Sequence, residues 1–241
     1  MIFPSLDRVK AIAPGYDIVP VYMEILSDVR TPISVLKALK QVSSHTYLLE
    51  SADNSNHWGR YSFLGYDPKI ELFCKNHTMT IKDGTTRTFE CSDPAAEIRN
   101  ILSQYKSPRL EELPTFTGGF VGYFACEYIR YIEPTLDFPT PDDDSAMVND
   151  VDLMLFDKVI AFDHYKNKIY LIANISTNDL ERNYNKAELE LKTLADLVVN
   201  GKEADVPKGI LKTEFTSEFT KDEFEAVVKK TQHYIKEGDI F

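Results

Sequence analysis

Residues 70–90, IELFCKNHTMTIKDGTTRTFE, decide the fold class of this chain. In the first six residues, Ile70, Leu72 and Cys74 alternate with Glu71, Phe73 and Lys75. This is the period of two of a β-strand. Further along, Asp83-Gly84 separates two short strand patterns, and this dipeptide tolerates the positive φ of a tight turn. The segment therefore predicts strands that fold back on one another as an antiparallel hairpin.

Further strands and helices lie on both sides of this segment. A capping residue or a proline begins three of the helices, and in all four apolar residues recur every three to four positions. The predicted helices run from Pro32 to Gln41, from Asp93-Pro94 to just before Pro108, from Asp179 to Val199, and from a Thr220–Glu223 capping box to Gly238. Predicted strands cover Thr46–Glu50, Tyr61–Gly65, a glycine-rich stretch at 118–124, Leu153–Phe162 and Lys168–Asn174. The fold class is α+β, with a mainly antiparallel sheet and helices packed on it.

Composition excludes several classes of protein. The chain has 241 residues, and its 27 Lys and Arg against 38 Asp and Glu give a net charge of -11, which disfavours nucleic acid as a partner. Hydrophobic residues make up 43% of the chain, enough for a buried core. Neither a signal peptide nor an apolar run of about 20 residues is present, so no membrane span is predicted. Three cysteines without a C-x-x-C pair fit reduced thiols and a cytoplasmic location.

No familiar catalytic or metal-binding signature occurs in the sequence. The nearest approach to a phosphate-binding motif is Gly118-Gly119-x-x-Gly122, and we interpret these glycines as a place where another backbone passes close. The five histidines are scattered singly, without the spacing of a metal site. We therefore predict no catalytic residue and no metal ligand in this chain.

One segment has the chemistry of a small binding site. A predicted strand ends in Leu49-Glu50-Ser51, and the chain returns through Arg60-Tyr61-Ser62. A carboxylate, hydroxyls, a guanidinium and apolar walls together would suit a zwitterion with an apolar side chain. From these residues alone, a capped strand end with an exposed salt bridge explains the pattern as well.

The sequence also resembles a known family. Four ordered stretches carry the resemblance: Leu48-Leu49-Glu50-Ser51-Ala52, residues 59–65 (GRYSFLG), residues 118–127 (GGFVGYFACE) and Phe162-Asp163-His164. Together they resemble the N-terminal region of anthranilate synthase component I. Residues 231–241 (TQHYIKEGDIF) are similar to the entry into the chorismate-binding domain of that family. Cys126 departs from the aromatic or small residue expected at its position.

The resemblance implies a function for the complete protein. Full-length members convert chorismate and glutamine, or ammonia, to anthranilate and pyruvate with Mg2+, and they pair with a glutamine amidotransferase subunit, component II. It also implies that Glu50 and Ser51 meet the head group of the feedback inhibitor L-tryptophan, with Leu49 against the indole. Residues 60–62 (Arg60, Tyr61 and Ser62) are second-line candidates on the facing segment. The Mg2+ ligands and the chorismate-binding groups of the family lie in a C-terminal half beyond Phe241.

These implications lead to a set of expectations about the whole chain. Residues 1–200 are expected to form the tryptophan-regulatory domain, 201–219 a connector, and 220–241 the start of the chorismate-binding domain. The apolar ending Ile240-Phe241 predicts a fragment or one half of a split enzyme, inactive alone. Two alternatives stay open: the N-terminal region of aminodeoxychorismate synthase component I, and a standalone tryptophan-binding sensor.

Overall fold

The fold is seen in a computed structural model of the chain. It describes residues 1–28, 30–51, 59–133, 135, 148–205 and 209–241. The chain divides into two compact units, Met1–Asp205 and Val206–Phe241.

Within the described ranges, the structure contains helices and strands in an α+β arrangement, as predicted. The helices are α1 (Leu6–Ile12), α2 (Pro32–Leu39), α3 (Pro94–Leu102), a 3-10 turn (Cys126–Tyr128), α4 (Ile129–Ile132), α5 (Leu180–Asn200) and α6 (Lys221–Glu237). The strands are β1 (Ile18–Leu26), β2 (Thr46–Glu50), β3 (Tyr61–Tyr66), β4 (Ile70–Lys75), β5 (Thr78–Lys82), β6 (Thr86–Glu90), β7 (Gly119–Phe124), β8 (Val151–Phe156), β9 (Lys158–Asp163) and β10 (Lys168–Ser176). None of the described helices is both long and apolar enough to cross a membrane.

The strands form two five-stranded sheets with antiparallel neighbours throughout. The first sheet has the order β1-β10-β9-β3-β2, and the second has the order β6-β5-β4-β8-β7. In the second sheet, β5 and β6 pair from Thr78↔Glu90 to Lys82↔Thr86, which confirms the hairpin around Asp83-Gly84.

The predicted single strand from Leu153 to Phe162 is wrong. The chain leaves the second sheet after Phe156 and enters the first sheet at Lys158, with Asp157 at the corner between them. The run is apolar on both sides of this corner, so its hydrophobic pattern does not reveal the change of sheet.

Helices α2 and α5 cover one face of the first sheet. Tyr184, Leu191 and Val198 of α5 pack with Leu39 of α2 and Leu171 of β10 in a shared buried cluster. The stripe on α5 recurs every seven residues, so one face of the helix stays buried along its length. In this sheet β2 is an edge strand, and β3 lies between β2 and β9.

Close backbone packing explains one glycine of the 118–122 motif. Gly122 of β7 lies opposite Leu153 of β8, and a Cβ at Gly122 would collide with the carbonyl oxygen of Asp152. A backbone cannot move aside as a side chain does, so only glycine fits. The predicted close approach of another backbone is confirmed here.

The second unit contains the last helix. Thr220 and Glu223 form the predicted capping box, in which the Glu223 carboxylate accepts from the Thr220 amide at 2.8 Å. Gly238 ends the helix at a φ of 82°. The apolar side chains of α6 are exposed, among them Phe224, Val227 and Ile235.

Candidate functional site

Strands β2 and β3 place the candidate residues at one end of the first sheet. Their register sets Glu50 opposite Ser62 and Leu49 opposite Phe63. Ser51 follows directly after the last residue of β2. Residues 52–58, which include Ala52 of the quoted stretch, lie outside the described residues.

Arg60 forms a bidentate ion pair with Asp163 at the end of β9. Its Nε and Nη2 donate to the two carboxylate oxygens at 3.0 and 2.7 Å, and the Asp163 side chain is fully buried. The backbone amides of Tyr165 and Lys166 donate to Asp163 Oδ1 at 3.1 and 3.0 Å. The Arg60 guanidinium also lies over the rings of Tyr61 and Tyr165. This clamp ties the entry of β3 to the end of β9.

The clamp changes the acidity of both partners. Burial alone would raise the pKa of Asp163. The hydrogen bond and positive charge of Arg60, together with the hydrogen bonds from the two backbone amides, outweigh burial, so the pKa lies below its usual value. The hydrogen bond to Asp163 raises the pKa of Arg60. Burial, assisted by the charge of Asp163, raises the pKa of Tyr61. Asp163 is therefore a permanent anion at neutral pH.

Ser62 joins Glu50 to His164. Its hydroxyl donates to Glu50 Oε1 at 3.3 Å and lies 2.7 Å from His164 Nε2. A hydroxyl has one proton to donate. Both hydrogen bonds therefore form together when His164 donates from Nε2 to the Ser62 oxygen and the Ser62 hydroxyl donates to Glu50. Ser62 is almost completely buried, whereas Glu50 is exposed. The result is an oriented carboxylate at the sheet edge.

The candidate residues lie on two faces of the sheet. Successive side chains of a strand point to opposite faces, so Glu50 and Ser62 share the face covered by α2 and α5. Leu49 is opposite Phe63 and therefore lies on the other face, where its side chain is 48% exposed. Tyr61 is on that face too, with its ring 5.7 Å from the ring of Phe63. Because β2 is an edge strand, a ligand at this edge can reach both faces.

The structure modifies the expected role of Arg60. Arg60 is expected from the sequence to donate to the carboxylate of a zwitterion, whereas its Nε and Nη2 donate to Asp163. Asp163 and His164 are absent from the candidate list, although Phe162-Asp163-His164 is one of the stretches that carry the resemblance. That stretch was the available signal. The ligand-binding roles of Leu49, Glu50, Ser51, Arg60, Tyr61 and Ser62 stay predictions.

A cation such as Mg2+ would need several oxygen ligands in one place. Among the residues that the structure describes, no group of three or more His, Cys, Asp or Glu side chains is placed to hold a metal ion.

Comparison with known proteins identifies the family. The sequence model of the family described as chorismate binding enzyme matches residues 45–241. Anthranilate synthase component 1 of Acetivibrio thermocellus is 34% identical over 100% of this chain and 50% of its own length. The protein of the same name from Acinetobacter calcoaceticus is 36% identical over 94% of this chain and 46% of its own length. The chain thus spans about half the length of these curated relatives.

A solved structure is also similar to this chain. The crystal structure of anthranilate synthase component I from Streptococcus pneumoniae TIGR4 is 25% identical, with a TM-score of 0.48, and the match covers 90% of this chain and 46% of that chain. The family match begins at residue 45, well before Thr220, so the predicted boundary of a chorismate-binding part at residue 220 stays a prediction. The match over residues 45–241, together with the similarity to component 1 proteins over nearly the whole chain, confirms the resemblance: the chain belongs to the chorismate-binding enzyme family, with anthranilate synthase component I proteins as its relatives.

Proposed function

We propose that this chain is part of an anthranilate synthase component I. The observation that carries the proposal is the family match over residues 45–241, joined by relatives that bear this name. The complete subunit would convert chorismate and ammonia to anthranilate, pyruvate and water. Glutamine would supply the ammonia through an amidotransferase partner, component II. Mg2+ would be bound by the remainder of the subunit.

The proposed role of the sheet edge around β2 and β3 is feedback regulation by L-tryptophan. The exposed Glu50 carboxylate, held by Ser62, is an acceptor for the ligand ammonium, and the Ser51 hydroxyl lies next to it in sequence. Leu49 offers exposed apolar surface for the indole on the opposite face. Arg60 is proposed as a positioning residue, because its Nε and Nη2 donate to Asp163.

Catalysis by the isolated chain is not expected. The chain covers about half the length of its relatives, and the groups that bind chorismate and Mg2+ are proposed to lie in the other half. Purified chain mixed with chorismate, Mg2+ and excess ammonia should give no anthranilate fluorescence. Steady production of anthranilate under these conditions would contradict this part of the proposal.

The regulatory role is tested in the complete subunit with three matched variants. Leu49→Ala and Ser51→Ala should each raise the tryptophan concentration for half-inhibition by about tenfold, the loss expected for one good contact. Leu189→Ala is the control, because Leu189 is 68% exposed on α5, away from β2 and β3. Turnover of chorismate without tryptophan should change by less than about twofold in all three. Wild-type sensitivity to tryptophan in both test variants would refute the assignment.

A further inference from the structure

A second polar group lies at the opposite end of β9 from the Arg60–Asp163 clamp. Asp157 occupies the corner where the chain passes from β8 to β9. Its backbone carbonyl accepts from the Asn174 amide at 2.9 Å and from Asn174 Nδ2 at 3.0 Å. These bonds hold the corner in place, and the resemblance gives Asp157 no role.

A cavity of about 100 Å³ adjoins this corner, within the first unit. Its walls are apolar along Ile18, Leu155 and Phe156, whereas Asp157 and Asn174 supply polar groups. The volume is well above the 10–15 Å³ or so that a single water molecule needs. Apolar walls with a few convergent polar groups are the usual composition of a small-molecule site.

Gly118 leaves room for the side-chain amide of Asn174 beside this cavity. A Cβ at Gly118 would lie 2.6 Å from Asn174 Nδ2, and the Gly118 φ of 156° is one that other residues rarely adopt. Asn174 Nδ2 donates to the carbonyl of Thr117 at 2.7 Å as well as to that of Asp157. The first glycine of the 118–122 motif is thus explained by this site.

The side-chain acceptors of Asp157 and Asn174 at the cavity differ from their neighbours in having few donors. Both protons of the Asn174 amide are committed, and the Ser107 hydroxyl donates to the Pro108 carbonyl at 3.4 Å. In the described part of the chain, the Asp157 carboxylate forms no ion pair and no hydrogen bond to another residue, and Asn174 Oδ1 accepts none.

Three lysines, Lys69, Lys158 and Lys186, line a neighbouring cleft that Asp157 also lines, and each ammonium group has another partner. Lys186 Nζ pairs with Glu190 at 3.5 Å. Lys158 Nζ donates to Asp67 at 3.1 Å, and Lys69 Nζ lies 5.2 Å from the centre of the Tyr105 ring. Burial raises the pKa of Asp157, although the charges of Lys158 and Lys69 act in the opposite direction. A partly buried carboxylate without a partner is unfavourable, and a cationic ligand would relieve that penalty.

We propose that this cavity binds a small primary ammonium compound, with its N–H groups on the Asp157 carboxylate and Asn174 Oδ1 and its alkyl part against Ile18, Leu155 and Phe156. This site goes beyond the proposed function, since it shares no residue with the candidate tryptophan site. An ammonium supplies three donors and a positive charge, which matches the free acceptors.

The first test uses n-propylammonium chloride with the wild-type chain. Titration followed by 1H–15N NMR should give saturable shifts of the Gly118 and Gly119 amides and of the Asn174 side-chain amide. Tetramethylammonium chloride at the same ionic strength has the charge but no N–H donor, and it should leave these signals unchanged. Non-saturable shifts, or equal effects of the two salts, would overturn the proposal.

The second test removes the charge of Asp157. Asp157→Asn should weaken propylammonium binding by about tenfold or more, the loss of one charge-assisted hydrogen bond. Glu188→Gln is the matched control, since Glu188 pairs with Lys192 on α5 and lines neither this cavity nor the neighbouring cleft; binding should be retained. Equal binding by wild type and Asp157→Asn would contradict the site, and the comparison of the two salts stands even where Asp157→Asn fails to fold. Neither result bears on inhibition by tryptophan.

Discussion

Replacing Asp163 by asparagine removes the charge at the centre of the clamp between β3 and β9 while keeping its shape. The asparagine oxygen can still accept from the amides of Tyr165 and Lys166. What is lost is the bidentate ion pair with Arg60, at 3.0 and 2.7 Å. The guanidinium then remains beside the site without an anion.

The size of the effect follows from the burial of each partner. Breaking a fully buried pair costs about 3–5 kcal/mol. Asp163 is completely buried, but the Arg60 side chain is 34% exposed, and water can solvate it when the pair is broken. We therefore expect Asp163→Asn to lower the free energy of unfolding by about 2–3 kcal/mol. For a chain of this size, the melting temperature should fall by about 4–12 °C.

The effect should also depend on pH. The pKa of Asp163 is depressed in the folded state, so its contribution is full above the unfolded-state value of about 3.9 and is lost as the pH falls through the folded value. The stability difference between wild type and Asp163→Asn should thus be constant from about pH 5 to 7 and shrink below about pH 4.

Urea unfolding followed by circular dichroism measures this difference. Asp67→Asn is the matched control, because the Asp67 side chain is 69% exposed in its pair with Lys158, and the loss should be below about 1 kcal/mol. If Asp163→Asn were no more destabilising than Asp67→Asn at pH 7, the reasoning about the clamp would be refuted.

Three further predictions concern other parts of the first unit. The buried hydroxyl of Tyr47 has no hydrogen-bond partner among the described residues, so Tyr47→Phe should stabilise the chain by about 1 kcal/mol in urea unfolding; a clear loss of stability would reveal a hidden partner. A Cβ at Gly65 would collide with the Tyr47 ring, so Gly65→Ala should destabilise by about 1–3 kcal/mol, and adding Tyr47→Leu should recover part of that loss, whereas simple additivity would argue against the collision. Burial raises the pKa of the Cys74 and Cys91 thiols, so iodoacetamide should modify the exposed Cys126 first in mass spectrometry; early modification of either buried thiol would contradict that burial.

Local features of this fold could be predicted from the sequence. The turn at Asp83-Gly84, the threonine cap before Pro32 and the capping box at Thr220 each depend on a few adjacent residues. The same is true of the long helix α5, whose apolar stripe appears directly in the sequence. Neither α1 nor β1 was predicted. Helix α1 has only seven residues, and β1 combines an unbroken apolar run with a proline, so neither has a clear period.

Long-range pairing limited what could be predicted about the site. Nothing in the local pattern places β3 between β2 and β9, yet that arrangement brings Asp163 to Arg60 and His164 to Ser62 across more than 100 positions. The change of sheet at Asp157 could not be predicted for a related reason, because apolar residues continue on both sides of it. The sequence could indicate which residues carry the chemistry at β2, but not which partners orient them.

The proposed function is tested most directly on the polypeptide that is expressed from the native gene. Its conversion of chorismate with ammonia and Mg2+ is followed by anthranilate fluorescence, with and without L-tryptophan. We predict anthranilate formation that L-tryptophan inhibits. Formation of aminodeoxychorismate in place of anthranilate, or anthranilate synthesis indifferent to tryptophan, would contradict the account.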